Sequence, residues 1–287
     1  MDNNGTKQLN NIFNFIRQQK IGNAIRAIRS LINGNSKLAY SGDMESVERD
    51  YSLMLDFMRR GFNDPQRDEV FNNIADRLYR IACDLRMKWL IQSVPFFTEM
   101  SQKAANMPLQ KDKIKSALEN FVAETAMLSL ETEPAKTEKS KELYLRHNDM
   151  IQSLFCSIIV SDSWTGNDKE FFRSLILSPT VDTMDAQMLV SAITIATMNN
   201  MDDNKFGTLI DVYLNATDEK VRQKALIGWV FALSADTRQQ EKTVQRVTEA
   251  MRHPGVTDEL ADLQKQMIFC INAEQDNDKI QRDIMPE

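Results

Sequence analysis

Apolar residues recur at spacings of three and four along nearly the whole chain, and this constrains its fold more than any other feature. Leu9, Ile12, Phe13 and Ile16 form one stripe; Ile21, Ala24, Ile25, Ile28 and Leu31 or Ile32 form a second after a break near Gln19 to Gly22. Such spacing places side chains on one face of an α-helix, whereas a strand would show alternation with a period of two. Only 9 Gly and 7 Pro punctuate 287 residues, too few for an all-β chain that needs a turn every 8 to 12 residues. The 16 Met and 26% charged residues fit amphipathic helices with adaptable cores. The fold class is therefore all-α, and the helical stretches number about twelve to fourteen.

Helix ends are marked locally. Gly34 is expected to close the second helix in a left-handed conformation, and Gly61 to stop a third that carries Val47, Tyr51, Met54 or Leu55, and Met58. Asp64-Pro65 is a start signal for a helix carrying Val70, Phe71, Ile74, Leu78, Ile81 and Leu85. Pro95 must kink or interrupt the apolar stretch Trp89 to Phe97, a group expected in the core or in a binding groove. Glu131 to Lys141 holds six charged residues and Pro134, which divides the chain into an irregular helical part, 1-131, and a repetitive part, 132-287. Two readings of that segment stay open, a hinge or the solvated first turn of one continuous array.

Self-similarity is confined to the carboxy-terminal part. Short helices at about 167-177, 202-214 and 236-252 are each followed by a longer one, and the longer ones begin at Asp185, Asp218 and Asp258, spacings of 33 and 40. Those are the periods of helical solenoid repeats. The run Asp218-Glu-Lys-Val221-Arg222-Gln-Lys-Ala225-Leu226 resembles the second helix of a HEAT repeat, with its Asp, Val-Arg and Ala. Asp185, Met188 and Ala192 keep the spacing with Leu189 in place of the Arg, and the third unit has Gln264 or Lys265 near the expected Ala. The resemblance implies an α-α superhelix of antiparallel helix pairs, with an Asp-Arg ladder between repeats. Ile21-Gly-Asn-Ala24-Ile25-Arg-Ala27-Ile28 is similar to the second helix of a tetratricopeptide repeat.

No two glycines lie closer than eight residues, so the Gly-rich phosphate cradles have no counterpart. His147 and His253 stand alone and no Cys has a neighbouring Cys or His, which removes zinc, di-iron and His-Asp phosphohydrolase patterns. No cofactor is implied. His147 reads as a partly exposed helix residue, and His253 as a partner of the last carbonyls of its helix. Cys83, Cys156 and Cys270 read as buried free thiols of a reducing compartment.

The net charge of −6 is unevenly distributed. Residues 1-40 carry six basic residues against Asp2, a net of +5, and the remaining 29 basic and 40 acidic residues leave −11. Arg17, Lys20, Arg26 and Arg29 form the candidate partner-binding set, a positive ridge suited to an acidic protein surface. No stacking aromatic interleaves with them, which argues against nucleic acid. No signal peptide or membrane span is legible, and the expected location is cytoplasmic. The expected function is a non-catalytic interaction scaffold or adaptor for a protein or peptide partner, and the chain is readable as the front part of a longer repeat protein. The alternative is an all-α enzyme or a nucleic-acid-handling domain that uses the basic first hairpin.

Overall fold

The computed structural model describes residues 3-35, 38, 43-62, 64-107, 110-133, 135-233 and 241-284. Among them are thirteen helices and no strand: α1 (Asn3–Arg17), α2 (Ile21–Gly34), α3 (Met44–Arg59), α4 (Arg67–Ser93), α5 (Pro95–Ala104), α6 (Lys111–Leu128), α7 (Ala135–Ile159), α8 (Gly166–Ile176), α9 (Thr183–Asn199), α10 (Asp203–Asn215), α11 (Glu219–Ala232), α12 (Glu241–Ala250) and α13 (Val256–Ile284). Residues 236-240, part of one expected helix, and the terminal Pro286 and Glu287 lie outside the described residues.

The apolar stripes set the packing. Leu9 and Ile12 of α1, Ile21, Ala24 and Ile28 of α2, Val47 of α3 and Ile74, Leu78, Ile81 and Leu85 of α4 close one core. A second core runs from Ile114 and Leu118 of α6 to Val256 of α13. The charged segment at 131-141 therefore does not separate the two cores, since α6 precedes it in sequence and packs with the helices that follow it. In the second core α8, α10 and α12 contact one another in a row, and α5, α7, α9 and α11 form a facing row. The helices α9, α11 and α13 begin at 183, 219 and 256, more evenly spaced than the sequence suggested. The helix α11 approaches α9 closely: a Cβ on Gly228 would lie 2.4 Å from Thr194 Oγ1, so only glycine fits without displacing that side chain.

Three expectations need correction. Gly34 is the last residue of α2 with an ordinary φ, and the chain leaves it extended at Asn35 (φ −141°), so no left-handed residue is used there. Cys270 is exposed on α13, past the last residues of that helix that reach the core, Leu260 and Leu263; Cys83 and Cys156 are buried. His147 is buried, not partly exposed, because the imidazole stacks on Phe121 and meets Asp185. The interruption at Pro95 takes the form of a break: Val94 is extended and Pro95 is the first residue of α5, where its missing N–H costs nothing.

The Asp-Arg ladder implied by the HEAT resemblance is replaced by other pairs. Asp218 caps its own helix, accepting from Val221 N at 3.0 Å, and Arg222 reaches Glu259 of α13 at 2.8 Å. Asp185 pairs with His147 of α7.

Candidate functional site: two clefts flanking one helix

The amino-terminal half of α4 stands out from the body with Arg67, Asp68, Glu69, Val70, Asn72, Asn73 and Asp76 exposed. A cleft lies on each side of it, and Glu69 and Asn73 line both.

The first, about 470 Å³, runs between α3 and α4 and is largely apolar. Leu53, Phe57, Met58, Phe62 and Val70 line it while remaining 36% to 60% exposed. The local sequence explains the wall. After Arg60 the chain turns at Gly61, whose φ of +77° is open to glycine at little cost, and Gly61 N bonds Met58 O while Phe62 N bonds Phe57 O. That pairing of bonds is a Schellman ending, and its usual apolar contact brings Phe62 edge-on to Phe57 with centroids 5.8 Å apart. Asp64 then accepts from Gln66 N at 2.9 Å, so the expected cap is present but serves the turn that precedes α4.

Electrostatics fix the cleft's two walls to each other. Arg77 on α4 makes a two-pronged bond to Asp43 (2.8 and 3.0 Å) and a third to Asp50 (2.6 Å), clamping α3. The guanidinium holds the Asp43 carboxyl below its usual range. Arg29 of α2 similarly grips Glu48 of α3 at 2.5 and 2.6 Å and lowers its pKa.

The second cleft, about 980 Å³, is polar and is bounded by α1, α4, α10 and α12. Asn10, Asn14, Asn72 and Asn73 line it, as does Gln19 in the α1–α2 connection. Phe13 and Tyr79 meet edge to face at 5.7 Å on its wall, and Lys242 of α12 reaches Asp76 of α4 at 3.2 Å. Gln19 occupies the left-handed region (φ 58°), where a side chain costs about 1 kcal/mol. Its N–H bonds Ile16 O and Lys20 N–H bonds Phe15 O, a Schellman ending built without glycine.

The four candidate cations have different surroundings. Arg17 lines the polar cleft and donates to Asn14 at 3.1 Å, and Lys20 is exposed at the start of α2. Arg26 donates to Asn23 at 2.6 Å, and Arg29 is taken up by Glu48. Of the aromatic group, Trp89 is buried, Phe97 is packed at the edge of the second core and Phe96 is exposed. His253 is exposed, and its backbone N–H reaches Ala250 O.

A buried polar cluster that no sequence pattern announces surrounds the 161-165 connection. Lys205 is 3% exposed, donates to the Ser161 and Asp162 carbonyls and lies 5.6 Å from the Trp164 ring; burial lowers its pKa. Asp202 accepts from Trp164 N, and Asp84 from Ser163 N and Oγ; burial raises both carboxyls. These bonds tie the 161-165 connection to α4 and α10, and neither cleft is lined by the three residues. Among the described residues no group of three His, Cys, Asp or Glu side chains is placed to hold a metal ion, and no helix is long and apolar enough to cross a membrane.

Compared with known proteins, the chain matches no family model, no curated protein and no solved structure.

Proposed function

We propose that the chain is a non-catalytic protein–protein interaction scaffold, and that the α3–α4 cleft takes the apolar face of an amphipathic helix from its partner. One observation carries this: five large apolar side chains, two of them Phe and one Met, line a single cleft and remain exposed. Burying such a side chain on association contributes about 1.5 to 3 kcal/mol. Aromatic anchors seated in a groove are the usual centres of binding energy. Asp64 and Glu69 on the rim favour a partner helix with basic flanks. Exposed Ile195 and Met198 on α9, with Ile227 and Phe231 on α11, supply further apolar surface of the kind a scaffold uses.

The even spacing of α9, α11 and α13 and the two rows of contacts support a HEAT-like superhelix in the second half. The free, buried Cys83 and Cys156 support a reducing location such as the cytoplasm. The enzyme reading has less support, because the buried Asp84, Asp202 and Lys205 spend bonds on the 161-165 connection and the buried His147 and Asp185 on each other.

The test is retention of partners from cell extract by the full chain and by Phe57→Ser/Phe62→Ser, with circular dichroism and thermal melting showing both to be folded. Loss of a specific partner from the variant is expected. An unchanged set of partners overturns the reading.

A further inference from the structure

We infer that the polar cleft is a second binding site, which takes an extended polypeptide segment and reads its backbone through carboxamide side chains. It rests on observations separate from those that define the apolar groove.

A carboxamide carries both an N–H donor and a C=O acceptor, the complement of the acceptor and donor of a peptide bond. Five carboxamide residues converge on this one cleft: Asn10 and Asn14 on α1, Gln19 after it, and Asn72 and Asn73 on α4. Asn14 accepts from Arg17, whereas Asn10, Asn72 and Asn73 make no side-chain hydrogen bond to the described residues. Asn10 and Asn14 are one turn apart, a rise of about 6 Å along the helix. An extended chain advances about 6.6 Å in two residues, so successive same-side peptide groups meet successive carboxamides. A helical ligand would not fit this chemistry, because its backbone groups are already bonded internally.

Charge selects among extended segments. Asp68 and Glu69 are exposed, Asp68 with Arg67 3.6 Å away, while Asp76 is engaged by Lys242. Four carboxylates, Asp68, Glu69, Asp76 and Asp203, line the cleft against three cations, Arg17, Arg86 and Lys242, and this acidic excess favours basic side chains on the segment over a phosphate backbone. The Phe13 and Tyr79 rings supply an apolar wall for the segment's inward side chains. The strained Gln19 fits a binding role, since a glycine there would relieve the backbone but remove a carboxamide.

The experiment pans a displayed library of random dodecapeptides against the full chain, then measures a synthetic representative by fluorescence anisotropy. Enrichment of peptides rich in Lys or Arg and free of helical apolar spacing is expected. Asn10→Ala/Asn14→Ala/Asn72→Ala should weaken binding at least tenfold while circular dichroism and melting remain those of the parent. N-methylation of alternate backbone amides of the peptide should weaken binding at least tenfold in one register only. Phe57→Ser should leave it unchanged, which separates failure here from failure of the apolar-groove reading. The inference is overturned if nothing is enriched, if the triple variant binds as well as the parent, or if N-methylation has no effect. Binding to a neutral oligosaccharide array in place of peptides also overturns it.

Discussion

His147 Nε2 lies 3.0 Å from Asp185 Oδ1 in a position closed to solvent, and the imidazole is stacked 3.5 Å from the Phe121 ring. One histidine thus joins α6, α7 and α9. Asp185 Oδ2 has no other partner, so the pair is each residue's main polar satisfaction. His147→Leu strands a buried carboxylate and is expected to cost about 3 kcal/mol in urea denaturation. The double variant His147→Leu/Asp185→Leu removes both polar groups and should recover most of that loss. Additive costs in the double variant would show that the contact contributes no coupling.

Gly61 shapes the apolar groove through its backbone. Gly61→Ala places a side chain at φ +77° and is expected to lower stability by about 1 kcal/mol. It should also weaken any helical ligand of the α3–α4 groove by shifting Phe62 away from Phe57. Tenfold weaker binding with a fold still intact by circular dichroism is the expected outcome, and unchanged affinity would detach the turn from the site.

Gln19 makes an opposite prediction for stability. Gln19→Gly removes a left-handed penalty of about 1 kcal/mol and adds about half of that in unfolded-state entropy, for a net gain of about 0.5 kcal/mol. A small rise in the melting temperature should therefore accompany weaker binding of the extended peptide in the polar cleft. A fall in melting temperature would contradict the backbone argument.

The clamp between α3 and α4 should be visible in pH dependence. Arg77 lowers the folded pKa of Asp43, so the pair's stabilisation is present above the carboxyl's unfolded value of about 4 and is lost as pH falls through the lower folded value. Arg77→Gln should be less stable than the parent at pH 6, and the difference should shrink towards zero near pH 2. Asp84 and Asp202, raised by burial, act in the opposite sense but are common to both proteins and drop out of the comparison. A difference that stays constant between pH 6 and pH 2 would assign Arg77 a packing role only.

Helix existence and order were legible in the sequence because their cause is local. Each helix is announced by the i, i+3, i+4 recurrence of its own apolar residues, and several starts by a carboxylate within four residues of the first free amides, as at Asp202 and Asp218. Gly61 was legible as a helix stop for the same reason, whereas the left-handed conformation was expected at Gly34 and occurs at Gly61 and at Gln19, and a glutamine gives no sign of positive φ. Pairings between helices were decided by the tertiary structure alone. Nothing in the sequence near Arg29 names Glu48, nothing near His147 names Asp185, and nothing near Asn72 names Asn10. Each choice depends on which faces meet once two cores have formed, and so do the clefts on either side of α4.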